Sequence, residues 1–207
     1  MAKTNINILL ATTAVWALAA CGGSSTGGSG SSFEQLSTRG LDLISQYDNA
    51  SATAPSSMPT GSATYRGVAA YSSSTSDPNQ IIQTARTVSE IELAADFDSS
   101  TINGRAHNFK VSDPALPGIT MGGEIQISNG EINGNQLTAN ASGTLTERFQ
   151  NVAIPVSYGG TLTGSFVGDS AEAIVGSGTA VGTADMRPFG GPENFSQTVN
   201  IIWGAER

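Results

Sequence analysis

The sequence is poor in the residues that cross-link or fill a large core. It has one cysteine among 207 residues, so no disulfide can form within the chain. Hydrophobic residues make up 38% of the sequence and aromatic residues 6%, whereas glycine contributes 25 residues. A core with so few large side chains suits a narrow β-barrel, in which large and small residues share the inner face, better than a helical bundle.

Basic residues are also scarce. Nine lysines and arginines face seventeen aspartates and glutamates, and the formal net charge is -8. Such a chain lacks the positive surface that binds nucleic acid or anionic lipid headgroups. We therefore expect no nucleic-acid partner, and any electrostatic steering favours a basic partner.

Motifs for catalysis, metals and cofactors are missing as well. The sequence contains no Gly-x-Ser-x-Gly elbow, His-Glu-x-x-His helix, phosphate-binding loop or calcium loop. His107 is the only histidine, and its spacing from Ile102 and Ala106 predicts that it points outward from a strand. We therefore predict that the chain is not an enzyme and has no catalytic, cofactor-binding or metal-binding residues. If the chain did bind haem, the axial ligand would be His107 or one of Tyr65, Tyr71 and Tyr158.

The one long apolar run lies at the N-terminus. Lys3 precedes a run from Ile6 to Ala20, which has the length of a signal-peptide core and is too short for a retained membrane helix. The run ends Leu18-Ala19-Ala20-Cys21, which resembles a bacterial lipobox. This resemblance implies a lipoprotein signal peptide over residues 1–20, cleavage before Cys21 and acylation of its thiol, whereas ordinary secretory cleavage is the alternative. An anchor of several acyl chains holds firmly, and Gly22 fits sorting to the outer membrane.

Three short segments follow the leader. Residues 21–32 carry Cys21 and a flexible Gly/Ser tether. Residues 33–48 form one short amphipathic helix, with a capping box made by Ser32 and Gln35. One face of this helix is predicted to be apolar and carries Phe33, Leu36, Gly40, Leu41, Ile44 and Tyr47. We expect this apolar stripe to pack on the barrel or, alternatively, to bind a partner. Residues 49–60 are rich in Ala, Ser and Pro and are predicted to be a second linker.

Strict alternation begins after residue 60, most clearly between Thr87 and Val111. Ile91, Leu93, Ala95 and Phe97 alternate with polar residues, a turn follows over residues 98–100, and the pattern restarts at Ile102. This pattern indicates a β-hairpin with one apolar side. Asp96 and Asp98 are interpreted as residues that bond backbone amides of the turn, rather than as a glycosidase pair.

The same pattern recurs through residues 61–207. It predicts an all-β fold, a closed antiparallel eight-stranded β-barrel in which the first strand pairs with the last. The fourth strand is expected to end at a turn formed by Asn129-Gly130. A membrane-spanning barrel is the alternative, but its lipid-facing residues would be mostly Ala and Gly, which are too small.

Four short runs in the barrel carry a family resemblance. They are Gly61-Ser-Ala63-Thr-Tyr65-Arg-Gly67, then Ala95-Asp96-Phe97 with Ile102-Asn-Gly104, then Phe166-Val-Gly168-Asp-Ser-Ala171-Glu172 with Gly176, and finally Trp203-Gly204-Ala205-Glu206-Arg207. In this order behind a lipobox they resemble the β-barrel domain of the transferrin-binding protein B family, whose barrel is similar to that of factor H binding protein. Members that bind transferrin have two lobes, each with a handle domain and a barrel, whereas this chain has one barrel and a short helix.

The resemblance implies a surface or outer-membrane lipoprotein, lipid-anchored at Cys21, that presents loops to a macromolecular partner or nutrient carrier, with a role in iron or haem acquisition. Loops Ser72 to Gln80 and Ser112 to Gly118 are the expected contact regions. Two alternatives remain open. One is a structural lipoprotein that faces the periplasm, and the other is a carrier of haem or lipid in the barrel mouth. The carrier hypothesis is disfavoured because side chains are expected to fill the interior of an eight-stranded barrel.

Overall fold

A computed structural model describes residues 31–47, 49–114, 118–149, 152–187 and 191–207, without the side chains of residues 78 and 79. The predicted signal peptide, Cys21 and most of the Gly/Ser tether lie outside the described residues. The elements, in chain order, are α1 (Phe33–Tyr47), a 3-10 turn (Pro55–Ser57), β1 (Ser62–Ser72), α2 (Pro78–Thr84), β2 (Thr87–Asp96), β3 (Thr101–Val111), β4 (Thr120–Asn133), β5 (Gln136–Phe149), β6 (Val152–Val167), β7 (Ala173–Ala184) and β8 (Phe195–Glu206).

The eight strands form one closed barrel, as the sequence predicts. Each strand pairs antiparallel with the next, and β1 pairs antiparallel with β8, where Ala69 lies opposite Trp203. Closure leaves no strand edge free to recruit another chain.

The hairpin formed by β2 and β3 is confirmed, together with the role of its two aspartates. A carboxylate oxygen of Asp96 accepts hydrogen bonds from the backbone amides of Asp98 and Ser99, at 3.1 and 3.0 Å. The bond from the Ser99 amide is the largest cause of a lowered pKa of Asp96. Asp98 accepts from the backbone amide of Gly61 at 3.0 Å, which ties this turn to the start of β1. Both carboxylates therefore serve the turn.

The predicted turn at Asn129-Gly130 is wrong. These residues lie inside β4 and form a bulge, with Asn129 at a φ of 51° and a register shift between Ser128 and Glu131. The chain reverses at Gly134 and Asn135 instead, where Gly134 supplies the positive φ that a two-residue hairpin loop needs. A dipeptide that tolerates positive φ suits a bulge as well as a turn, and sequence pattern does not separate the two.

The two faces of the barrel wall differ in polarity. On β5, Leu137, Ala139, Ala141 and Leu145 are buried on the inside, whereas the alternate residues are exposed. The largest buried side chains of the interior are Tyr65, Leu93, Ile102, Phe166, Ile174 and Trp203. An apolar interior and a polar exterior are the reverse of the arrangement in membrane-spanning barrels.

Helix α1 packs on the outer wall of the barrel, as one of the two sequence interpretations predicts. Its capping box is present, because the Ser32 amide donates to the Gln35 side chain at 2.8 Å and the Gln35 amide donates to the Ser32 hydroxyl at 3.2 Å. The predicted apolar stripe is partly wrong. Leu41 is 41% exposed, and Leu43 is buried instead.

A second helix, α2, was not expected. It begins within the segment Ser72 to Gln80 that the sequence assigned to a contact loop. Its Ile81 and Ile82 are buried against α1 and the outward side of β1, so that Val68 is covered although it faces away from the lumen. The two helices thus add a small second core to one side of the barrel.

Part of residues 49–60 packs against the barrel, whereas the sequence predicts a flexible linker there. Thr53 is 1% exposed, its hydroxyl donates to the carbonyl oxygen of Gly168 at 2.7 Å, and its amide donates to Phe166 at 2.9 Å. Asn135 donates to the carbonyl oxygen of Thr53, and Met58 packs against the inner core. This segment covers one end of the barrel.

Candidate functional site at the open end of the barrel

The two ends of the barrel are built differently. At the end where β1 begins, the interior is filled by the packed segment around Thr53 and by three aromatic rings. Phe166 contacts Tyr65 and Phe97 with steeply inclined ring planes, and the ring centroids are 5.8 and 5.5 Å apart. We call this the sealed end. At the opposite end, where β1 stops at Ser72 and β2 starts, the interior opens into a cavity. We call this the open end.

Both loops expected to bind a partner leave the barrel at the open end. The segment after β1 and the segment after β3 are held together by Arg86, whose guanidinium contacts the Asp113 carboxylate at 2.8 Å and whose carbonyl oxygen accepts from the Ser112 amide. Asn200 of β8 donates to the carbonyl oxygen of Thr75 at 3.0 Å. The structure thus brings the two predicted loops together on one rim.

The segment between β7 and β8 adds a charged cluster to the same rim. Arg187 contacts Asp185 at 2.6 Å and Glu193 at 3.4 Å. Hydrogen bonds from Arg187 are the largest cause of a lowered pKa of Asp185. Two carboxylates against one guanidinium leave this part of the rim acidic.

Inside the open end lies a cavity of about 640 Å³, which we call the lumen cavity. The expectation that side chains fill the interior is wrong for this half of the barrel. The cause is the small residues on the inner face, because Ala69, Ala106, Ala141 and Ala180 all line the space. Large rings fill the sealed half instead.

The polar side chains that line the lumen cavity include Tyr71, Glu147 and Tyr158. The Tyr71 hydroxyl bonds to that of Ser89 at 2.8 Å, and Tyr158 is hydrogen-bonded to the Glu147 carboxyl. Burial raises the pKa of Glu147, against the smaller effect of the Tyr158 hydrogen bond, and burial raises the pKa of Tyr158 to about 12. Burial therefore favours the neutral forms of Glu147 and Tyr158.

Trp203 completes the inner end of the lumen cavity. The residue is 1% exposed, and its indole nitrogen is buried without a hydrogen-bond partner among the described residues. A buried N–H group without an acceptor is costly and uncommon in folded proteins. Sequence reasoning placed Trp203 in a strand but gave no signal of this free donor.

Two of the four predicted haem-ligand candidates, His107 and Tyr65, do not line the lumen cavity. His107 faces outward from β3, as predicted, with its Nδ1 3.7 Å from the Glu90 carboxylate. Tyr65 lies at the sealed end, where its hydroxyl donates to the carbonyl oxygen of Ala171 at 2.8 Å. Only Tyr71 and Tyr158 of the four line the cavity.

On the outer face of the barrel, the Glu92 carboxylate forms ion pairs with Arg66 at 2.7 Å and with Arg105 at 3.3 Å. Among the described residues, no group of three His, Cys, Asp or Glu side chains could hold a metal ion. The described helices are all too short or too polar to cross a membrane.

The described residues thus form a closed antiparallel barrel with one sealed end and one open end. Residues 58–206 match the family described as C-lobe and N-lobe beta barrels of Tf-binding protein B. The chain belongs to this family, which confirms the resemblance drawn from the sequence.

Solved structures with similarity to the chain include those of transferrin-binding protein B. They include intact Ap-TbpB with its N and C lobes (18% identity, TM-score 0.39) and the isotype 1 protein from serogroup B Neisseria meningitidis (20% identity, TM-score 0.39). A point mutant of the vaccine antigen from Haemophilus parasuis Hp5 matches at 19% identity with a TM-score of 0.38. Each match covers 75% of this chain and 28% of the other chain, so the chain spans little more than a quarter of these proteins' length. No curated protein sequence matches the chain.

Proposed function

We propose that this chain is a non-enzymatic lipoprotein, anchored to the outer membrane through acylated Cys21, whose open end binds a macromolecular partner at the cell surface. The partner is a protein or nutrient carrier, and the role is in iron or haem acquisition. The observation that carries the proposal is the gathering of the predicted contact loops on one rim, in a chain that belongs to a family of binding-protein barrels.

The position of α1 supports this proposal. The Ser31 hydroxyl donates to Glu90 on the outer wall at 3.1 Å, so the described chain enters at the side of the barrel. The first described residues therefore contact the side wall and not the rim. The Gly/Ser composition of residues 22–32 gives it the flexibility to hold the barrel away from the membrane.

The contrast between the two ends supports the rim as the contact surface. The sealed end is occupied by the packed segment around Thr53, whereas the segments after β1 and β3 expose polar side chains such as Ser73 and Ser76. Surface loops on a rigid scaffold are common binding elements. The acidic pairs around Arg187 favour a partner that is basic where it meets the rim.

Site-specific photo-crosslinking tests the proposal. A photoreactive amino acid is placed at Ser73 or Ser76 on the rim and, as matched controls, at Ser99 or Asp169 on exposed turns of the sealed end. Cells that carry the full chain are irradiated, and the adducts are identified by mass spectrometry. We expect one protein to be captured repeatedly from the rim positions and not from the sealed end. Equal capture from both ends, or none from the rim, would contradict the proposal.

A further inference from the structure

The lumen cavity is not needed for contacts between the rim and a macromolecule. We propose that it is a binding site for an uncharged, mostly apolar small molecule. This inference goes beyond the proposed function, because rim contacts and lumen binding can each occur without the other.

The size of the cavity fits such a ligand. Its volume of about 640 Å³ lies within the roughly 300–1,000 Å³ that small-molecule sites usually occupy. The space exists because alanines stand at inner positions on four strands, namely β1, β3, β5 and β7. Larger aliphatic residues at those positions would close the space and bury more apolar surface.

The chemistry of the lining favours an apolar body. Ile91, Ile125, Leu145, Leu162 and Ile201 all line the cavity. Burying a ligand's apolar surface against them is favourable in proportion to the area removed from water.

The polar groups of the lining favour a neutral ligand. Arg86, a cation at the mouth, is already paired with Asp113 at 2.8 Å. Glu147 and Tyr158, which also line the cavity, bond to each other, and burial favours their neutral forms. No described cation in the wall is therefore placed to compensate a buried anion, and an unpaired buried charge is expensive.

Trp203 closes the inner end of the cavity with apolar ring surface. Its indole nitrogen is buried in the core and is not part of the cavity surface.

Fluorescence titration with two neutral dyes tests the inference. The whole chain is prepared as Cys21→Ser, so that neither acyl chains nor detergent compete. Nile red has a carbonyl acceptor, and diphenylhexatriene is a pure hydrocarbon. We expect both dyes to bind saturably with one site per chain. Absence of saturable binding of either dye would overturn the proposal.

Variants locate the site. Ala141→Leu with Ala180→Leu fills the lumen cavity, and Ser142→Leu with Val181→Leu adds the same side chains one residue along each strand, on the exposed face. We expect the first pair to reduce the affinity for both dyes at least tenfold and the second pair to leave it unchanged. Equal effects of the two pairs would show that the dyes bind elsewhere.

Discussion

The ring of Trp203 on β8 lies against the backbone of Gly176, its paired residue on β7. A Cβ atom on Gly176 would collide with two atoms of this ring and with the carbonyl oxygen of Thr163. Glycine at this position lets the largest side chain of the core lie close to the barrel wall. The contact also fixes the indole at the inner end of the lumen cavity.

Gly176→Ala is therefore expected to destabilise the barrel by about 1–3 kcal/mol, because the ring or the strand must move to admit a methyl group. The matched control is Gly159→Ala on β6, where a Cβ would meet no atom within 4 Å. Its stability should change by less than about 0.5 kcal/mol. Urea unfolding measures both, and equal losses in the two variants would contradict the packing described for Trp203.

Thr53→Val tests whether residues 49–60 belong to the folded barrel. The substitution keeps the shape of the buried side chain but removes the hydrogen bond to Gly168 and leaves that carbonyl oxygen unsatisfied, at a cost of about 1–3 kcal/mol. Ser56→Ala in the exposed 3-10 turn is the control and should be close to neutral. If Thr53→Val unfolds at the same urea concentration as the parent, the segment is a linker after all.

The stability of the barrel should depend on the protonation of Glu147. Burial raises the pKa of this carboxyl in the folded chain. The folded state then holds the proton more tightly than the unfolded state, so this contribution to stability is present below the ordinary glutamate pKa and is lost as the pH rises through the folded pKa. Glu147→Gln removes the loss, so its melting temperature relative to the parent should increase from about pH 4 to about pH 8.

Tyr158→Phe provides the second half of that experiment. The Tyr158 hydrogen bond lowers the pKa of Glu147, so its removal should shift the loss of stability to higher pH. If the difference in melting temperature between Glu147→Gln and the parent stays constant across the pH range, the stability of the barrel does not depend on the titration of Glu147.

Cys21→Ala tests the anchor. We expect the parent chain to incorporate a labelled fatty acid and to sediment with membranes, and the variant to do neither, because the thiol that carries the acyl chains is gone. Metabolic labelling followed by membrane fractionation measures both properties. Ser24→Ala in the predicted tether is the control and should behave as the parent does. Membrane association that persists in Cys21→Ala without acylation would refute the lipid anchor.

Sequence alternation predicts the wall of the barrel well, because a half-buried strand repeats every two residues. Leu137 to Leu145 show this pattern without interruption, and all eight strands are present. The β-bulges, in contrast, could not be predicted from sequence alternation. Asn108, with a φ of 53°, shifts the register so that Phe109 turns inward, and nothing in the local composition announces this shift.

Other features depend on contacts between residues far apart in sequence. The side chains or carbonyl groups of Asn135 and Gly168, 82 and 115 positions away, hold Thr53. The local composition of residues 49–60 does not reveal these contacts and resembles that of a linker. Helix α2 is too short for a clear helical pattern. Its residues Ile81 and Ile82 are buried only because α1 and Val68 pack against them, and these contacts are not visible in the local sequence. The lumen cavity arises where small residues from separate strands face one another. Predicting it requires the register of each strand pair, which the sequence pattern does not provide.

The most direct test of the proposed function is the labelling of introduced cysteines on intact cells. Because Cys21 is the only native cysteine, and its thiol is acylated in the proposed lipoprotein, Ser76→Cys on the rim and Asp169→Cys at the sealed end would each carry the one free thiol. A membrane-impermeant maleimide should label both variants on intact cells, and binding of the partner should protect Ser76→Cys alone. Labelling that requires permeabilised cells would place the barrel in the periplasm and contradict a surface-binding role.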